Sequence, residues 1–362
     1  MNQLEEKRIE IDAIDKEMAR LFERRMEACR GIAEYKRAHA LPICDSAREA
    51  VVVAAASERV ADPTMREYYT SFVKDVMKTL RAYQSRLTEG MRVVYSGAEG
   101  AFGYIAASRA FPGASLEACA DFADAYHAVE EGSFDCAVLP IENSYAGDVG
   151  AVMDLIFSGS LYINRMIDLE VEHSLLGVPG TAIEDIETVV SHPQALEQCA
   201  DFIRAHGWKT VSYSNTALAA KYVAAAGDRH IAAIASDETA ELYGLCALAH
   251  RINSARSNTT RFAVLSRAQH LPSPESRTGR EHFILVFTTK NEAGARAQPL
   301  NIIGVHNFNM RGLRSRPMKD LIWNYYFFVE ADGNISTDDG KNMLRELSAV
   351  CAELRLAGTY EA

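Results

Sequence analysis

Cations recur at helical spacing in the first ninety residues. Leu4, Ile11, Met18 and Ile32 belong to an apolar seam with a seven-residue repeat, and Lys7, Ile14, Leu21, Ala28 and Tyr35 form its second row. Arg25 occupies the seam position between Met18 and Ile32, while Arg8 and Lys36 each lie one position from the seam. A second stretch opens with Asp45-Ser46-Ala47-Arg48-Glu49, and a third places Gln84 on a face with Phe72, Val76, Leu80 and Tyr83. An arginine in a packed seam is costly unless an anion neutralises it. Either an internal Arg–Glu pair does so, or the bundle core holds an anion pocket. Several cations, a carboxylate and an amide converging on one helical interior favour the pocket. Such a set suits a small ligand with two carboxylates and a hydroxyl, its carboxylates clamped bidentately by arginine. No nucleophile or titrating base accompanies the set, so the chemistry is a rearrangement driven by restraint and electrostatics.

Four polar loops carry the next candidates: Gly97–Gly103, Pro140-Ile141-Glu142-Asn143-Ser144, Ser191-His192-Pro193-Gln194 and Asn258-Thr259-Thr260-Arg261-Phe262. Three follow a strand-like run, where open α/β sheets place ligand groups. Each alone also reads as turn or cap chemistry. His173 and His192, beside strands and turns, read as structural.

These residues need elements to hold them. The 362 residues, 48% apolar and 24% charged, fit a multidomain globular chain rather than a disordered or fibrous one. The net charge of −11 argues against nucleic acid as a partner. No apolar run approaches the ~20 residues of a membrane span, and the charged N-terminus lacks a signal-peptide pattern, so no membrane partner and a cytoplasmic location are expected. Seven scattered cysteines without a CxxC pair read as reduced thiols. No metal-ligand spacing, P-loop or GxGxxG is present, and no cofactor is expected.

Residues 1–89 read as an all-α domain of three helices near 3–39, 46–61 and 64–87, broken at Pro42 and Pro63. The first helix, about 54 Å long, cannot cover its apolar face within so small a monomer, which predicts dimerisation through it. Residues 91–268 alternate strand-like runs (92–96, 136–140, 188–191, 231–235) with helical patterns, an α/β domain with room for two lobes. A Pro/Ser/Gly linker at 270–281 leads to 282–362, which reads β-α-β-β-α-β. Its strands fall at 282–289, 308–316, 324–331 and 354–360 and its helices near 295–306 and 338–353, an α+β ferredoxin-like module.

The pattern Arg8, Arg25, Lys36, Asp45-x-x-Arg48-Glu49, Gln84 resembles the all-helical chorismate mutases. The resemblance implies an intertwined dimer in which Arg8 of the partner chain joins Arg25 and Arg48 on the substrate carboxylates. Lys36 and Gln84 would bond the ether oxygen whose bond breaks. Glu49 would bind the hydroxyl, and Asp45 would line the site.

Glu142-Asn143-Ser144, Ser191-His192-Pro193-Gln194 and Thr260-Arg261-Phe262, with Ala233–Ser236 and Leu242–Leu245, resemble the prephenate dehydratases. That resemblance implies a two-lobed, periplasmic-binding-protein-like fold with the site between the lobes. Thr260 would be catalytic, donating to the leaving ring hydroxyl. Arg261 and the 97–103 loop would bind carboxylates, and Glu142, Asn143, Ser144, Ser191, Gln198 and Phe262 would stand at the site.

The tail resembles the ACT domains that follow these dehydratases. Gly294-Ala295-Arg296-Ala297 and Arg314-Ser315-Arg316-Pro317 stand at their effector motifs, with Arg296 in place of an apolar residue and Arg314 in place of a glutamate. The family use is inhibition by phenylalanine.

Three resemblances in chain order imply a bifunctional enzyme of phenylalanine biosynthesis, acting on chorismate and prephenate as a homodimer or homotetramer. A non-catalytic carboxylate or amino-acid sensor, and an enzyme active at one site only, are the alternatives. Arogenate as a second substrate stays open.

Overall fold

The computed structural model describes residues 2–39, 41, 46–255, 257–276, 278–318 and 324–361; Asp45, expected at the first site, lies outside them. The chain forms two compact units, residues 1–92 and 93–362.

The first unit is helical: α1 (Gln3–Ala38), α2 (Ser46–Glu58) and α3 (Arg66–Glu89). Asn2 and Glu5 form a reciprocal capping box that starts α1, and Gly90, at φ 82°, ends α3. The packed face of α3 is Val73, Met77, Leu80 and Gln84, while Phe72 is 46% exposed. The expected face holds at Leu80 and Gln84 but is one position off in the first half of the helix, where Ala56 of α2 packs against Val73 and Met77 rather than Phe72 and Val76. On α1 only Cys29 and Ala33 are buried. Leu4, Ile11, Ile14, Met18 and Leu21 remain 45–58% exposed in the protomer.

The second unit begins with β1 (Arg92–Ser96), α4 (Phe102–Ala110), β2 (Ser115–Cys119), α5 (Phe122–Glu130), β3 (Cys136–Asn143), β4 (Gly147–Asp148), α6 (Gly150–Ser158) and β5 (Tyr162–Glu170). The chain then crosses into a second lobe: β6 (Ser174–Gly177), β7 (Thr188–Ser191), α7 (Pro193–Gln198), α8 (Ala200–His206), β8 (Lys209–Ser212), α9 (Thr216–Ala226), β9 (Ile231–Ala235), α10 (Asp237–Tyr243) and β10 (Cys246–Ala249). It returns through residues 250–258 to β11 (Thr259–Ser266) in the first lobe. The second lobe has its own sheet, in the order β10-β6-β9-β7-β8. Two crossings between separate sheets leave a cleft between the lobes.

The tail comprises β12 (Glu281–Thr288), α11 (Ala297–Val305), β13 (Met310–Pro317), β14 (Tyr325–Asp332), α12 (Asp338–Val350) and β15 (Glu353–Glu361), with strand order β13-β14-β12-β15, the ferredoxin-like arrangement. α11 starts at Ala297, so Pro299 falls in the first turn, where its missing N–H leaves no bond unmade. β15 lies parallel to β5, touching at Gly358 and Ile163. A Cβ on Gly358 would stand 2.1 Å from the Ile163 carbonyl oxygen, so only glycine allows the approach. The tail and first lobe share one sheet and one core, in which Ala137, Leu139, Ile284, Val286, Tyr326, Phe328 and Ala357 pack together. Segments expected as separate domains, 91–268 and 282–362, are thus one compact unit. Among the described residues no helix is long and apolar enough to cross a membrane.

Candidate active sites

Thr260, the second residue of β11, lies directly opposite Asn143 at the end of β3. Asn143 Nδ2 donates to Thr260 Oγ1 at 2.8 Å and to Asn258 Oδ1 at 2.8 Å. The backbone N–H groups of Tyr145 and Ala146 donate to Asn143 Oδ1 at 3.0 and 2.8 Å, which fixes the orientation of that amide. Asn258 Nδ2 donates to Gln198 Oε1 at 3.0 Å, and His173 Nε2 lies 2.9 Å from the same oxygen. Thr260 Oγ1 is thus an acceptor toward Asn143, and its proton is free to be donated elsewhere.

A cleft of about 320 Å³ opens beside this chain, lined by Thr260, Asn143, Gln198, Phe262, His173 and His192 together with residues at the starts of α4 and α9. Among the described lining residues there is no lysine or arginine. Ala101 gives α4 no side-chain cap, so its first N–H groups are left for water or a ligand. Asn215 caps α9 through Leu218 N. Helix N-termini attract anions. Burial holds both His173 and His192 below the ordinary histidine value, the Gln198 hydrogen bond opposing it at His173, so both rings are neutral near pH 7. Both histidines were expected to be structural, yet both line the cleft.

Several expected residues do not reach it. Side chains alternate along a strand, so the pair after Thr260–Asn143, Arg261–Glu142, faces the opposite side of the sheet. There Arg261 donates from both terminal nitrogens to Glu330 of β14 at 2.9 Å and to the Tyr360 hydroxyl at 3.2 Å. The expectation that Arg261 and Glu142 meet substrate in this cleft fails on that alternation. Ser191 is fully buried and donates to the Ile234 carbonyl at 2.6 Å, tying β7 to β9. Ser144 Oγ accepts from Thr259 N at 2.9 Å, closing the strand ends.

The tail grips this opposite face. Arg314 donates to Glu142 and, at 2.6 Å, to Asp148; Arg316 donates to Asp154 at 2.9 Å. Both arginines of the expected effector motif, which includes Ser315 and Pro317, are thus engaged on the first lobe. Gly294 (φ 83°) and buried Ala295 precede α11, and the Arg296 guanidinium lies over the Tyr325 ring, 5.5 Å from its centroid.

In the helical unit, Gln84 is buried and its Nε2 donates to the Cys29 carbonyl of α1 at 3.4 Å. Arg25 is exposed on α1, one turn before buried Cys29 and on the seam through Met18 and Ile32, while Lys36, half-buried, lies one turn after buried Ala33. Glu49 of α2 pairs with Arg81, three residues before Gln84. Arg81 was not anticipated; its i−3 relation to Gln84 was the available signal. Arg48 is exposed on the first turn of α2. Arg8 stands 17 positions before Arg25, about 26 Å along a straight helix, and cannot share a small site with it in one protomer.

A lobed α/β unit with a polar cleft, and a separate three-helix unit with a cationic stripe, define a two-site chain. The family model for prephenate dehydratase matches residues 93–270, and that for chorismate mutase type II matches residues 7–85. The bifunctional chorismate mutase/prephenate dehydratase of Enterobacter agglomerans is 30% identical over 98% of this chain and 94% of its own length. Two solved structures resemble the second unit. A prephenate dehydratase from Arthrobacter aurescens in complex with L-Phe (28% identity, TM-score 0.68) covers 75% of this chain and 90% of its own. A protein described as a novel type of quorum-quenching acylase (31% identity, TM-score 0.69) covers 75% of this chain and 98% of its own. The chain belongs to the bifunctional chorismate mutase/prephenate dehydratase family, whose two activities serve phenylalanine biosynthesis.

Proposed function

We propose that dehydration takes place in the cleft beside Thr260 and that the observation carrying this is the Asn143–Thr260 hydrogen bond, which leaves the threonine proton free. Prephenate loses its ring carboxylate as CO2. The electron pair released enters the ring, the ring C–O bond breaks, and the departing hydroxyl takes the Thr260 proton and leaves as water. Threonine is then reprotonated from solvent, so one proton is consumed per turnover. A threonine is a weak acid, and position in a sheltered cleft must supply most of the effect. The starts of α4 and α9 and the Gln198 amide supply the anion-binding character.

An acylase reading would need a base to take the proton of a nucleophile. Thr260 instead accepts from an amide, which favours a proton donor over an activated nucleophile.

The mutase site is assigned to Arg25, Lys36, Arg48, Glu49 and Gln84 of one chain with Arg8 of a second, Asp45 being expected nearby. The exposed apolar seam of α1 supports a second chain lying along it. The tail is assigned as an ACT-type module that responds to phenylalanine through Gly294, Ala295, Arg314, Ser315, Arg316 and Pro317. Its ferredoxin-like strand order and the L-Phe-bound relative support this. Thr260→Val tests the dehydratase site: phenylpyruvate formation should fall at least a hundredfold, and a folded variant with undiminished rate would sink the assignment.

A further inference from the structure

The polarity of the hydrogen-bond chain behind Thr260 can be assigned bond by bond. Asn143 Oδ1 is occupied by two backbone N–H groups, so its nitrogen faces Thr260 and Asn258 Oδ1. Asn258 must then offer its own nitrogen to Gln198 Oε1. His173 Nε2 meets that same oxygen and must therefore carry the proton. His173 Nδ1 is the bare nitrogen, buried without a partner. With Oε1 occupied twice, the nitrogen of Gln198 is the end of the amide left to meet a ligand; Gln198 lines both the Thr260 cleft and a smaller cavity of about 210 Å³ beside Asn258. With Oγ1 of Thr260 accepting, its proton is what remains.

Resting on the reading of this cleft as the dehydratase site, we propose that Asn258 and His173 are positioning residues. They turn the amide of Gln198 donor-side out, so that a carboxylate-bearing substrate meets N–H rather than C=O. Asn258 is 4% exposed and His173 2%. Asn258 lies on the crossing between the lobes and Gln198 at the end of α7 in the second lobe, so the same bond also sets how the two cleft walls face each other.

The test is Asn258→Asp in the full-length chain, with steady-state rates on prephenate and on chorismate. A carboxylate at 258 still accepts from Asn143, so Thr260 keeps its orientation. It repels Gln198 Oε1, however, and the glutamine amide must turn over. KM for prephenate is expected to rise about tenfold or more, with kcat within about threefold and chorismate turnover unchanged. A parental KM in the variant overturns the proposal.

Two histidine variants decide between the outcomes if the aspartate variant does not fold. His173→Gln, which retains an N–H donor, should hold KM within about threefold, whereas His173→Leu should raise it about tenfold. Equal KM values in these two variants overturn the proposal. An inactive parent on prephenate would overturn the cleft assignment itself.

Discussion

Glu330→Gln probes the bond between the tail and the catalytic strand. Glu330 is 2% exposed, and both its oxygens bind Arg261 at 2.9 Å. It also accepts from the Tyr360 hydroxyl. Removing one partner of a buried pair costs about 3–5 kcal/mol when nothing else neutralises the remaining charge. Here Asp168 and Glu142 remain, 3.3 and 3.7 Å from Arg261, and glutamine keeps one acceptor oxygen. The loss should therefore be about 2–3 kcal/mol. For a unit of this size that lowers Tm by roughly 4–12 °C.

The pH dependence gives a second signature. Burial alone would raise the Glu330 carboxyl, but hydrogen bonds from Arg261 and Tyr360 outweigh it and hold the group below its ordinary value. A depressed folded value stabilises the protein above the unfolded value, about 4.3, and that contribution is lost as pH falls through the folded value. The gap in Tm between parent and variant should thus be full at pH 7, begin to narrow as pH falls below the unfolded value, and vanish only below the folded value. Melting curves across that range read it directly. Equal Tm values at pH 7, or a gap undiminished in acid, would refute the reasoning.

Three further outcomes follow from the same geometry. Thr260→Val should leave prephenate formation from chorismate intact while abolishing phenylpyruvate, measured on each substrate separately. Arg25→Ala should do the reverse, stopping prephenate formation while added prephenate is still dehydrated; loss of both activities in a folded variant would contradict two independent sites. His306 is bonded by Asp339 and Glu346, which raise its pKa against the effect of burial. Its contribution is full below the unfolded value of about 6.5 and lost as pH rises through the folded value, so His306→Gln should flatten the alkaline fall in stability, read by denaturation from pH 6 to 9.

Element boundaries were legible because Pro63 and Gly90 bound a helix and the strands are short apolar runs. The repeat on α1 was visible in the sequence, but the residues of α1 buried within the protomer, Cys29 and Ala33, lie outside both of its rows. What failed was orientation. Thr260, Arg261 and Phe262 cannot all face one cleft on a strand, and the period of two already separated Arg261 from its neighbours. In the first half of α3 the buried face depended on choosing between adjacent stripes, which only packing against Ala56 decides. Asn258 stood within a loop singled out for chemistry, but its link to Gln198 joins residues 60 apart in sequence, and that of His173 to Gln198 residues 25 apart. Only the folded chain reveals those pairings. The single sheet through the tail and first lobe rests on the contact at Gly358, a glycine without a turn signature around it.

The most direct measurement is to give the purified chain chorismate and, separately, prephenate, and to quantify phenylpyruvate with and without phenylalanine. Phenylpyruvate from both substrates, suppressed by phenylalanine, is the predicted result. Phenylpyruvate from neither would contradict the central claim of two catalytic sites on one chain.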